Sequence, residues 1–160
     1  MQFDIRYACD DIINARELFA EYAKLLVEAE SRIVYYLDLQ GYDSEAENLD
    51  EKYGLPDGRF YIAYLEGKAA ACIALRKMND AECELKRLYV KAEFRGQGIA
   101  TALLELVIAD ARDIGYRFML LDTLPALKEA LKLYEKKGFY RIGPYNDNPV
   151  EDSVFLRLDL

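Results

Sequence analysis

"LKRLYVKAEFRGQGIATALL", residues Leu85 to Leu104, changes its period half-way along. Up to Val90 it closes the longer run "AECELKRLYV", which reads as a strand with one buried face. From Ile99 the apolar residues Ile99, Leu103, Leu106, Val107 and Ile114 recur at helical spacing. Between the two lie Arg95, Gly96, Gln97 and Gly98. A helix entered this way offers N–H groups without internal partners at the positive end of its dipole. Glycines let a ligand approach the backbone without meeting a Cβ, and Arg95 carries a charge of the sign that phosphate favours. That is the geometry of an anion site at a helix N-terminus.

Moving outward, "RFYIAYLEGKAAACIALRKM" is two strands around a Glu66-Gly67-Lys68 turn, and "AECELKRLYV" is a third after Asn79-Asp80. Upstream, "FDIRYA" reads as a strand, and Asp10 or Asp11 can cap a helix with Ile12, Phe19, Tyr22, Leu26 and Ala29 on one face. "SRIVYYLDL" reads as a second helix, and a short one is expected near Glu45–Lys52. Downstream come the strand "YRFMLLDTL", the helix "PALKEALKLYEKKG", and the strands "FYRIGPY" and "SVFLRLDL". The order β-α-α-β-β-β-α-β-α-β-β implies one α/β (α+β) domain over residues 1–160. Its sheet is expected to be mixed and mostly antiparallel, of about seven strands, with helices on both faces.

A chain of 160 residues can bury a core without staples, and its 52% hydrophobic content agrees. The formal charge of −8 disfavours a nucleic-acid partner, whose phosphates need Lys and Arg. Three widely spaced cysteines, Cys9, Cys72 and Cys83, read as reduced thiols, without a disulfide framework or zinc site. With no histidine, Ser-His and Cys-His triads are excluded, and no metal site is expected. An acidic N-terminus unlike a signal peptide and the lack of a spanning apolar run point to the cytoplasm, away from membranes.

Two phosphate motifs fail against the loop. A dinucleotide fingerprint needs Gly or Ala where Thr101 stands, and a P-loop needs a lysine that "GIAT" lacks. What remains is Arg/Gln-x-x-Gly-x-Gly/Ala, met by Arg95, Gly98 and Ala100. With "LKRLYV" before it and "LYEKKGF" after the next strand, the chain resembles the GNAT superfamily of acetyl-CoA-dependent N-acetyltransferases. The resemblance is close over Phe60 to Ile142 and implies the acyl-CoA N-acyltransferase fold, with acetyl-CoA as donor and an amine as acceptor. It implies a pyrophosphate site at Arg95, Gly96, Gln97, Gly98, Ile99, Ala100 and Thr101, and backbone contacts to the pantetheine arm from Leu88, Tyr89 and Val90. It also implies that the Tyr134 hydroxyl serves the departing sulfur. An asparagine common in the family is replaced by Leu127; Thr123 and Lys128 are candidate substitutes.

Transfer to an amine needs that amine neutral, and a carboxylate acting as general base answers this. Strict alternation places Glu82, Glu84, Lys86, Leu88 and Val90 on one strand face, so Glu82 and Glu84 are the candidates, beside the alternative of an ion-paired face. Tyr35, Tyr36, Asp38, Tyr42, Glu45, Glu47, Asp50 and Glu51 form an expected acceptor-side region, either receiving a cationic amine or making a solvated helix face with core tyrosines. "PYNDNPVED" is a candidate rim loop. A direct ternary complex is expected, with a non-catalytic CoA-binding regulatory domain or a longer-chain acyl transferase as alternatives. Acceptor, acyl length and oligomeric state stay open, a homodimer among the options.

Overall fold

The structure, a computed structural model, describes residues 3–34, 37, 45 and 48–160, and all but the side chain of Asp50 within them. Seven strands form one sheet: β1 (Asp4–Tyr7), β2 (Arg59–Leu65), β3 (Lys68–Lys77), β4 (Glu82–Val90), β5 (Phe118–Thr123), β6 (Tyr140–Ile142) and β7 (Val154–Asp159). Their order is β1-β2-β3-β4-β5-β7-β6, so the last strand slots between β5 and β6. Among the described residues only β4 and β5 pair in parallel.

The α-helices bounded within the described residues are α1 (Ile12–Ala29), α2 (Leu49–Tyr53), α3 (Ile99–Ile114) and α4 (Lys128–Lys136). Asp11 caps α1, its carboxylate accepting the Asn14 backbone N–H at 3.2 Å. The buried residues Ala15, Leu18, Phe19 and Leu26 follow the helical stripe and meet Phe60, Ile62, Cys72, Ala74 and Tyr89 beneath α1 and α2. On the opposite face, α3 buries Ile99, Leu103, Leu104, Val107, Ile108 and Ala111 against Ile73, Leu75, Cys83 and Leu85. Each such side chain contributes about 1.5–3 kcal/mol, so the sheet is clamped from both sides. The end of α4 closes as the sequence indicates: Phe139 N–H donates to Tyr134 C=O at 3.0 Å and Gly138 N–H to Glu135 C=O at 3.1 Å.

The expected second helix falls mostly outside the described residues, with residues 33, 34 and 37 helical. The short helix expected near Glu45–Lys52 is seen over Leu49–Tyr53, with Glu45 also helical and residues 46 and 47 outside the described residues.

Strict alternation in β4 is broken, and this corrects the expected strand face. Lys86 pairs with Ala74 and Tyr89 with Cys72, so Arg87 and Leu88 together oppose Ile73 alone. Arg87 absorbs the extra residue at φ 61. As a result Lys86 and Arg87 both turn toward α1 and α2, where Arg87 meets Glu45. Leu88 and Val90 pack on the α3 side, away from Glu84. One inserted residue inverts every later side chain.

Candidate active site

β4 and β5 stay in register over only three pairs: Glu82–Phe118, Cys83–Met119 and Glu84–Leu120. Beyond them β4 runs on to Val90 and β5 to Thr123 without pairing. The strands part into a cleft of about 60 Å³. Leu85 to Leu88 line it from one side, and Leu121 to Leu124 from the other. Tyr22 closes it on the α1 face, and Leu127, Ala130 and Tyr134 on the α4 face. The unpaired edge of β4 leaves backbone groups facing this opening, at the carboxyl ends of two parallel strands where α/β sheets place their ligands.

The glycine loop stands at the same end. Arg95 Nε donates to the Val90 carbonyl at 2.9 Å, tying the loop to the end of β4. Its guanidinium lies 5.8 Å from the centre of the Tyr89 ring. Gly98 is the N-cap of α3 at φ 81, and no side chain caps the helix. The helix therefore presents its first N–H groups outward. A Cβ built on Gly96 or Gly98 meets nothing within 4 Å, so the cradle in front of these N–H groups is open space. Positive helix end, exposed Arg95 and open cradle suit a pyrophosphate.

Within the cleft, Tyr134 is buried, and its hydroxyl has no hydrogen-bond partner among the described residues. Burial pushes its phenol well up, reinforced by Tyr22 and Asp122. Tyr22 is raised to about 12, again chiefly by burial, with Asp122 adding to it. Asp122, on β5, is held in place by Asn146 Nδ2 at 3.0 Å and Asn148 Nδ2 at 3.2 Å from the rim loop. Lys86 lines the cleft as well; burial and then Arg87 depress its ammonium to about 8, against the pull of Glu84 and Asp122.

The acetyltransferase (GNAT) family model matches residues 17–139. An N-acetyltransferase of Schizosaccharomyces pombe is 38% identical over 126 residues, 78% of this chain and 77% of its own length. The chain belongs to the acetyltransferase (GNAT) family. It is an N-acetyltransferase, with acetyl-CoA as its acetyl donor. Among solved structures, the PaiA N-acetyltransferase of Thermoplasma acidophilum, in complex with coenzyme A, has the same fold: TM-score 0.76 over 100% of both chains at 18% identity. A GNAT acetyltransferase of Elizabethkingia anophelis with acetyl-CoA bound aligns with TM-score 0.57 and 26% identity, over 71% of this chain and 82% of that one.

The GNAT motif residues expected from the sequence divide into two groups. Arg95 to Thr101, Leu88 to Val90 and Tyr134 surround the end of β4, its cleft and the adjoining helix terminus. Glu82 and Glu84 line no part of the cleft. Glu82 sits at the β3–β4 turn, accepting from Asn79 Nδ2 at 2.8 Å. Glu84 is buried in a neighbouring hollow, where it accepts from Arg76 Nε at 2.7 Å and the Tyr145 hydroxyl at 2.6 Å. Burial opposes its ionisation, but Lys86, Tyr145 and Arg76 outweigh that and hold its carboxyl low. Leu127, at the head of α4, lines the cleft as an apolar wall.

Of the acceptor-side residues, Tyr35, Tyr36, Asp38, Tyr42 and Glu47 lie outside the described residues, as does the Asp50 side chain. Glu45 belongs to no solvated face: it is buried, bonded to Arg87 at 2.7 and 2.9 Å and to Lys52 at 2.7 Å. Burial raises its carboxyl, yet Arg87 and Lys52 bring it down to about 2. Sequence reasoning missed Asp122, Lys86 and Tyr22. The signal for Asp122 was a carboxylate at the end of a strand parallel to β4. Among the described residues no group of His, Cys, Asp and Glu could hold a metal, and no helix is long and apolar enough to cross a membrane.

Proposed function

We propose that residues 1–160 act as one N-acetyltransferase domain that passes acetyl directly from acetyl-CoA to a primary amine held in the β4–β5 cleft. The observation that carries this reading is Tyr134, a buried side chain in the cleft wall whose hydroxyl has no hydrogen-bond partner among the described residues. The pyrophosphate lies in the cradle of Arg95, Gly96, Gln97, Gly98, Ile99, Ala100 and Thr101. Backbone groups of Leu88, Tyr89 and Val90 on the unpaired β4 edge direct the pantetheine arm toward the cleft. When bound, the thioester supplies the acetyl group; its C–S bond breaks as the C–N bond forms.

Tyr134 donates a hydrogen bond to the departing sulfur. A thiol near 8.5 faces a phenol above 10, so complete proton transfer is uphill by about 2 kcal/mol or more. Tyr134 therefore stabilises the thiolate by hydrogen bonding and keeps its own proton. Asp122, the carboxylate of the cleft wall, faces the acceptor's amine and takes its proton directly or through water, a role the sequence suggested for Glu82 or Glu84. Glu84, ion-paired and held low, serves to position Lys86, 3.7 Å away. The buried free thiols Cys72 and Cys83 support a cytoplasmic location.

The test is kinetic. Tyr134→Phe is expected to lower kcat at least about tenfold, as loss of a charge-developing hydrogen bond does, with acetyl-CoA affinity by calorimetry unchanged. Asp122→Asn is expected to lower kcat/KM for the amine. Unchanged turnover in Tyr134→Phe removes Tyr134 from the mechanism.

A further inference from the structure

Moving an acetyl group off a thioester builds negative charge at two atoms in turn: the carbonyl oxygen as the amine adds, and the sulfur as it departs. Tyr134 accounts for the sulfur. Across the cleft stands a second phenol, Tyr22 on α1. The two come from opposite faces of the sheet. Tyr134 belongs to the core that α3 covers, and Tyr22 packs on the core beneath α1. The parting of β4 from β5 lets both phenols line one space.

Packing alone does not ask for a tyrosine at this place. Tyr22 follows Phe19 by one turn and precedes Leu26 by one, on the buried face of α1. A phenylalanine would fill the same space without stripping water from a hydroxyl. Elsewhere in the fold that cost is met: Tyr64 donates to the Asp11 carboxylate at 2.7 Å, and Tyr116 to the Asp57 carbonyl at 2.6 Å. The Tyr22 hydroxyl, like that of Tyr134, has no hydrogen-bond partner among the described residues. Its ring stands 5.8 Å from the ring of Tyr89, beside the end of β4 where the pantetheine arm enters the cleft. Tyr22 acts electrostatically on Tyr134, so the two phenols stand near each other across the opening.

We infer that Tyr22 donates a hydrogen bond to the carbonyl oxygen of the bound thioester and holds the negative charge that gathers there as the amine adds. The cleft then supplies one phenol to each atom that becomes negative, Tyr22 to the oxygen and Tyr134 to the sulfur. The faces decide which serves which. The glycine-capped end of α3 lies on the face of Tyr134, so the arm of the coenzyme comes from that side and brings its sulfur to Tyr134. The carbonyl lies beyond the sulfur, toward α1 and Tyr22. Burial raises the Tyr22 phenol to about 12, so it stays in its donor form throughout the neutral range. This inference rests on the β4–β5 cleft being the acetyl-transfer site.

The experiment compares the full chain with Tyr22→Phe and Tyr134→Phe, each holding acetyl-CoA isotope-labelled at the carbonyl carbon. Difference infrared spectra isolate the stretch of that one bond, whose frequency falls when its oxygen accepts a hydrogen bond. The expected result is a band moved to higher frequency in Tyr22→Phe and left in place in Tyr134→Phe. Turnover is read with a panel of amino acids, polyamines and a lysine-containing peptide. In Tyr22→Phe kcat falls at least about tenfold, as loss of an oxyanion donor does, with the KM of the amine unchanged. The variant keeps its ring, and unchanged acetyl-CoA affinity by calorimetry attests that it is folded. A band that stays in place in Tyr22→Phe, or moves equally in Tyr134→Phe, overturns the inference, as does a loss confined to the KM of the amine. Those outcomes leave the acetyltransferase reading intact. If the parent binds acetyl-CoA and acetylates none of the amines, both fall.

Discussion

Gly98→Ala separates backbone strain from ligand contact. Gly98 sits at φ 81, where an L-residue is strained by about 1–2 kcal/mol. For a chain of 160 residues this lowers Tm by about 2–8 °C. The added methyl touches no protein atom within 4 Å, so strain is its whole cost in the free protein. Gly115, at φ 109 past the other end of α3, also faces open space and is the more strained control. Both alanine variants are expected to lose stability in thermal unfolding. Only Gly98→Ala is expected to lose acetyl-CoA affinity, because its methyl enters the cradle and pushes the pyrophosphate off the helix N–H groups. Each charge-assisted hydrogen bond lost costs about 1.5–3 kcal/mol, so calorimetry should show a Kd raised about tenfold to a hundredfold. If Gly98→Ala binds acetyl-CoA like the parent, or Gly115→Ala weakens it equally, the pyrophosphate assignment is wrong.

Glu45→Gln breaks a buried ion pair and is expected to cost about 3–5 kcal/mol in urea unfolding. The same group sets an acid limit: its carboxyl is depressed from 4.5 to about 2, so its stabilisation is present above pH 4.5 and is withdrawn as pH falls toward 2. That loss should be absent from the Gln variant's pH profile. Lys86 titrates near 8 among Glu84, Arg87, Asp122 and Lys52, and loses its charge as pH rises through that value.

Local chemistry explains what could be read in advance. The α3 stripe, the Glu66-Gly67 turn, the Asp11 cap and the Gly138 stop each depend on neighbours within a few residues, and each stands in the structure. The glycine-lined terminus of α3 was legible for the same reason, since strand, glycines and helix are consecutive in the chain. The candidate base was not: Glu82 and Glu84 were chosen on unbroken alternation. Alternation in fact holds through Lys86, and Glu84 is taken up by Arg76 and Tyr145 from other elements; the bulge opposite Ile73 comes after it and turns Arg87 to the side of Lys86. No residue between Glu82 and Val90 is a glycine that would have signalled the bulge, because Arg87 itself takes the positive φ.

The sequence by itself determined most of the elements, their order, the glycine-capped terminus of α3 and the place of Tyr134 on α4, because these follow from periodicity and motif along a continuous stretch. Only the tertiary structure decided the parting of β4 from β5, the insertion of β7 beside β5, and the meeting of Asp122 with Lys86. Those depend on pairing and register between segments far apart in the chain. One extra residue in a strand, invisible to composition, reverses the faces of Leu88, Tyr89 and Val90.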